Sequence, residues 1–145
     1  MSIRILAIAF LLAGVSAATL YSSDKTVWST ALIGGTEYTL LIADSSEKRQ
    51  QGLSGVQSLD MYEGMLFIFP EAGKYGMWMK DMVIPLDMIW LDTQYKVVHI
   101  AEAVLPASYP SILVSPADAL YVIEVSSGTV ERESLEVGDK ITLTY

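Results

Sequence analysis

Cysteine is missing altogether and histidine occurs once, at His99. Without a thiol, the chain can have no disulfide, thiolate nucleophile, zinc–thiolate site or lipid-modified cysteine at an export signal. A lone imidazole cannot complete a transition-metal shell. No metal and no cofactor are therefore expected. Basic residues are also scarce. Nine Lys and Arg stand against 17 Asp and Glu, for a formal net charge of −8, which argues against nucleic acid and against charge-driven binding to anionic lipid. Calcium takes oxygen ligands alone and stays open, but its D-x-D-x-D-G loop is missing. The nucleophile motif G-x-S-x-G is missing too, since Gly52-Leu53-Ser54-Gly55 has the wrong spacing. No Gly-rich phosphate loop occurs. On these grounds no catalytic residue can be named.

What is present begins with an export signal. Arg4 supplies a positive start, Ile5 to Val15 is uncharged, and Ser16-Ala17-Ala18 offers small residues for cleavage. The run is short for a span of about 30 Å of hydrocarbon. We expect residues 1–18 to be a signal-peptide helix cleaved after Ala17 or Ala18, which places the mature chain outside the cytoplasm, secreted or periplasmic. Once cleaved it has no membrane attachment; uncleaved, the segment is an anchor.

Residues 19–35 read as a polar tether and first strand region, and 36–145 as one mainly β domain. With 52% hydrophobic residues the chain can fill a core. Period-two patterns predict strands over Glu37–Ala43, Gly64–Phe69, Met88–Leu91, Lys96–Ala103, Leu120–Val125 and Lys140–Tyr145. Met65, Phe67 and Phe69 share one face and Leu66 and Ile68 the other, and such doubly apolar strands are central or covered on both sides. Asp44, Glu47 and Gly52 predict one short helix with a capping box and a glycine stop. A weaker helical turn follows Thr129. The segment Leu105–Ala117, with Pro106, Pro110 and Pro116, reads as an ordered rim. Short strands without repeated helical crossovers predict an antiparallel sandwich or small barrel with one short helix after the first strands.

Arg49-Gln50-Gln51-Gly52-Leu53, Gly64 to Phe69, Trp78-Met79-Lys80, Ile84-Pro85-Leu86-Asp87 and Gly138-Asp139 together carry a resemblance. From Tyr38 to the C-terminus the chain resembles the bacterial and archaeal family called domain of unknown function 192. Its pattern is R-x-x-G-L, G-M-L-F, W-M-K-N-T-x-I-P-L-D and a closing G-D turn. The chain departs from it at Asp81-Met82, where the family carries Asn-Thr, and at Ser54-Gly55, where a basic residue is frequent. The resemblance implies a mainly β fold and frequent export, and implies no reaction, cofactor or ligand.

Candidate binding residues concentrate between Tyr75 and Asp87. Alternation puts Trp78 and Lys80 on one face, opposite Met77 and Met79. Lys80, Asp81 and Asp87 could form an ion-pair cluster at a sheet edge or mouth; the preferred reading is blander, a turn at Lys80-Asp81 with Asp87 satisfying backbone N–H groups after Pro85. Trp78, Trp90 and Tyr75 suggest an aromatic platform for a sugar, although aromatics are more often core. Glu102 and Glu124 interrupt apolar strands. An unpaired buried carboxylate is costly, so each either faces solvent or pairs with a cation such as Arg49 or Lys80, Arg49 being the first choice of ionic partner for Glu124. The resulting expectation is an exported non-catalytic binding or interaction module for a small molecule, glycan or envelope protein. Its candidate residues are Trp78, Lys80, Asp81, Asp87, Arg49 and Glu124. The alternatives are an enzyme using carboxylates and Lys80, and a structural accessory protein of the envelope.

Overall fold

The computed structural model describes residues 27–145; the expected signal segment and most of the tether lie outside them. The described chain opens with a hairpin. Strands β1 (Trp28–Ile33) and β2 (Thr36–Ala43) pair antiparallel across Gly34-Gly35. Both glycines have positive φ, 58° and 92°, the signature of the two-residue turn whose twist matches that of the flanking strands.

Strand β2 next pairs parallel with β3 (Glu63–Gly73). A parallel neighbour requires a crossover rather than a tight turn, and residues 44–62 provide it, carrying helix α1 (Ser46–Gln51). There follow β4 (Gly76–Met77), β5 (Leu86–Leu91), β6 (Val97–Val104), a 3₁₀ turn at Pro106–Ser108, β7 (Leu113–Val114), β8 (Ala119–Ser126), helix α2 (Thr129–Arg132) and β9 (Thr142–Thr144). Seven strands form one mixed sheet in the order β6-β5-β8-β3-β2-β1-β9, and β4 pairs with β7 in a separate two-stranded ribbon.

The mainly β expectation holds, but the wholly antiparallel sandwich or barrel does not. One mixed sheet replaces it, because the 44–62 crossover returns the chain in the same direction and an alternating pattern carries no information about strand direction. The sheet does not close. It curls at one corner, where Val97 donates to the Asp139 carbonyl and Gly138 to the Val97 carbonyl, both at 2.8 Å. Among the described residues no helix is long and apolar enough to cross a membrane.

The adjacent strands β5, β8 and β3 are apolar on both faces, and each face carries its own core. Leu41, Met65, Phe67, Met88, Trp90 and Val122 lie in one cluster. Tyr38, Leu40, Leu66, Ile89, Tyr121 and Ile123 lie in the other. Burying each such side chain contributes about 1.5–3 kcal/mol. The Leu105–Ala117 segment is ordered, its β7 pairing with β4.

Helix α1 starts one residue later than the sequence suggests. Ser45, not Asp44, is the N-cap: it is extended (φ −103°, ψ 162°) and accepts a hydrogen bond from the Lys48 amide. Asp44 instead pairs with Lys48 at 3.0 Å. Gly52 ends the helix at φ 49°, as anticipated.

Candidate functional site

Glu124 lies at the middle of β8, opposite Met65 of β3 and Met88 of β5. Strand alternation turns its side chain to the same face as Val122, Phe67 and Trp90. The residue is 4% exposed, and its carboxyl has no hydrogen-bond or ionic partner among the described residues. Burial alone pushes that carboxyl up to about 8. At neutral pH it is therefore mainly the neutral acid, the form a low-dielectric site favours.

A cavity of about 210 Å³ lies on this face, lined by Glu124, Arg49, Phe67, Phe69, Met77 and Trp78, with Met82, Leu53 and polar side chains of α1 completing it. Each wall has a local cause. Gly52 brings the end of α1 against the Phe67 ring, where a Cβ would stand 3.4 Å from the ring tip. The Arg49 Nη1 donates to the carbonyls of Asp44 (2.8 Å) and Ile68 (2.9 Å), joining α1 to β3. Its guanidinium lies 5.4 Å from the centre of the Phe69 ring, and Tyr75 stacks on that ring at 3.7 Å. Met77 and Met79 are buried while Trp78 and Lys80 are exposed, so the alternation read from the sequence holds. The methionines concentrated between positions 65 and 88 now have a place. Met65, Met77, Met79 and Met88 pack in the core of this face, with Met82 against it, where flexible thioethers fill irregular space.

The candidate residues divide. Arg49, Trp78 and Glu124 meet at the cavity, but Arg49 and Glu124 do not form the expected ion pair: Arg49 spends Nη1 on backbone carbonyls, and Glu124 is left alone. Lys80 and Asp81 line a neighbouring shallow depression with Glu47 and Trp78. They make the turn of the blander reading. Asp81 adopts φ 57° and its carbonyl accepts from Gly55, while the Lys80 carbonyl accepts from the Ser54 hydroxyl. Left-handed backbone suits Asp or Asn, so the departure from the family pattern at Asp81 preserves this turn.

Asp87 is fully buried away from the cavity. Its Oδ1 accepts from the Ala103 amide at 2.8 Å and its Oδ2 from the Val130 amide at 2.9 Å. The alternative Lys80–Asp81–Asp87 ion-pair cluster does not form; Asp87 satisfies backbone N–H groups, as the preferred reading has it, and those groups lie in distant segments. The ion pairs of the described residues are Lys48–Asp44 and Arg132–Glu133. The aromatic platform does not assemble either: Trp90 is core, its indole N–H donating to the Tyr75 carbonyl at 3.3 Å, and Trp78 alone is exposed. Glu102 faces solvent, and His99 lies against Trp90 with ring centres 5.0 Å apart. No cluster of three metal-ligating side chains occurs among the described residues. Sequence reading passed over Phe67, Phe69 and Met82 as cavity walls. The only signal for the two phenylalanines was the doubly apolar pattern of β3, which equally describes plain core, and Met82 lies in the irregular stretch between β4 and β5.

Fold and site together describe a mixed-sheet domain in which an interior strand carries one solitary acid beneath a helical crossover. The chain belongs to the DUF192 family ("Uncharacterized ACR"), whose model matches residues 29–143. Two solved structures are similar to it. A Sinorhizobium meliloti 1021 protein called a "putative transcription regulator" is 31% identical with a TM-score of 0.75, over 79% of this chain and 92% of that one. A Novosphingobium aromaticivorans DSM 12444 protein of unknown function is 27% identical with a TM-score of 0.72, over 81% and 84% respectively. No curated protein matches the chain.

Proposed function

We propose that the chain is an exported, non-catalytic binding module that holds a small molecule in the Glu124 cavity. The observation that carries this reading is Glu124 itself. A buried carboxyl with no partner among the described residues is destabilising by several kcal/mol, and a ligand that satisfies it supplies a use for that cost. Apolar walls with a few placed polar groups are the usual make-up of small-ligand sites. Arg49 and Glu124 are the ionisable side chains of the cavity, so no second carboxylate, histidine or lysine stands ready for acid–base exchange. That favours binding over the enzyme alternative. The regulator role named for the Sinorhizobium meliloti relative fits this chain poorly, because a formal net charge of −8 repels nucleic acid.

A thermal-shift screen of small molecules against the purified protein tests the reading, followed by a structure of any hit. Hits are expected in the cavity, with the shift lost in Glu124→Gln. Hits bound elsewhere, with equal shifts in both proteins, would refute it. Export is tested separately by N-terminal sequencing of protein from its host, expected to begin at Ala18 or Thr19; a chain beginning at Met1 would contradict cleavage.

A further inference from the structure

We infer that the cavity's ligand is a small zwitterion with a flexible hydrocarbon body, its ammonium meeting Glu124 and its anionic group meeting Arg49. The inference rests on the binding reading above and adds the chemistry of the ligand.

Three observations carry it. The first concerns Arg49, whose Nη1 is committed to the carbonyls of Asp44 and Ile68. Its Nε and Nη2 make no bond among the described residues. That remaining edge is the pair of parallel donors that grips a carboxylate with two hydrogen bonds. The second is separation. Arg49 is tied to the carbonyl of Ile68, whereas Glu124 lies opposite Met65. Three residues along β3 put about 10 Å of backbone between the two anchoring points, and no ion pair joins the two side chains. The third is the rest of the wall, where Phe67, Phe69, Met77 and Met82 offer hydrocarbon contact beside the polar side chains of α1.

Singly charged ligands fit less well. An amine without an anion leaves the Arg49 edge unmet and feels its positive charge. An acid without an amine leaves Glu124 unmet. A compact α-amino acid carries its charges closer together than those two anchoring points.

Binding an ammonium must ionise Glu124, so it should expel a proton. The groups facing Glu124 do not buffer that change: β3 presents Met65 and Phe67, β5 presents Met88, β4 supplies Met77 to the cavity, and α1 supplies Arg49, which stays charged. Lys80, Asp81 and Glu47 belong to the adjacent depression.

Isothermal titration of the wild-type protein near pH 7, in two buffers of different protonation enthalpy, decides the matter. The probes are 6-aminohexanoate, hexylamine, hexanoate, hexan-1-ol and glycine. We expect 6-aminohexanoate to bind about ten-fold or more tightly than either singly charged probe or glycine, with release of about one proton per site. In Glu124→Gln the proton release should vanish and the zwitterion should bind no better than hexanoate. Equal affinity for hexan-1-ol, or binding without proton release, would overturn the zwitterion and leave the small-molecule cavity standing. Absence of binding by every probe, together with cavity-free hits in the thermal-shift screen, would remove both.

Discussion

Replacing Glu124 by Gln should flatten the pH dependence of stability in a defined window. In the unfolded chain this carboxyl titrates at its ordinary value of 4.5, and in the folded protein at about 8. Below pH 4.5 it is protonated in both states and imposes no pH-dependent penalty. Between the two values the folded state keeps a proton that the unfolded state has lost, so folding stability falls as pH rises. Above about 8 the penalty is complete. Each pH unit within the window costs about 1.4 kcal/mol, giving roughly 3 kcal/mol between pH 4.5 and 7 and about 4–5 kcal/mol by pH 9. Those are large fractions of a typical domain stability of 5–15 kcal/mol. The assay is urea unfolding of both proteins from pH 4.5 to 9, with the difference in stability plotted against pH, which cancels titrations common to both. The variant should gain on the wild type steadily across the window. Parallel curves would show that Glu124 is hydrated or paired in solution, and the account of an isolated acid would fail.

Two other outcomes follow from the packing. Asp87→Ala should cost about 1–3 kcal/mol in chemical unfolding, because the buried Val130 amide loses its acceptor and the partly buried Ala103 bond is lost with it. Asp87→Asn should recover part of that loss, and a cost below 1 kcal/mol for the alanine variant would show that water replaces the carboxylate. Gly64→Ala should prevent soluble folding or lower the melting temperature sharply. An added Cβ there would collide with the Glu124 carbonyl and approach Leu40 Cδ2 and Val125 Cγ1 to 2.9 Å. A variant melting like the wild type would mean that β3 and β8 can part without cost.

The strands were legible because the two faces of the sheet are both apolar: Met65 and Leu66 each find a core, so the runs containing them are long and dense. Short pieces such as Gly76–Met77 and Leu113–Val114 left no trace, since two residues cannot display a period. Strand direction was invisible as well. Nothing in β2 or β3 says that they run alike; that follows from the length of the intervening crossover and what it covers. At the site, Arg49, Trp78 and Glu124 were all legible as residues out of keeping with their surroundings. Their relation was not. Charge complementarity suggests that Arg49 and Glu124 should pair, yet Arg49 gives Nη1 to the carbonyls of Asp44 and Ile68 and no ion pair joins the two. Asp87 illustrates the converse: a carboxylate satisfying backbone N–H groups was legible, but not that those amides lie 16 and 43 residues further along the chain.

The crossover between β2 and β3 has a consequence for how this scaffold can be adapted. One contiguous stretch, from Ser46 to Ser54, supplies a whole wall of the cavity, and the rest of the fold holds it at four points: the Arg49 tether, the close approach at Gly52, the buried Leu53 and the Ser54 bond to Lys80. Grafting a different nine-residue wall from a relative would therefore exchange ligand preference as a single cassette, with Glu124 left in place as a common floor.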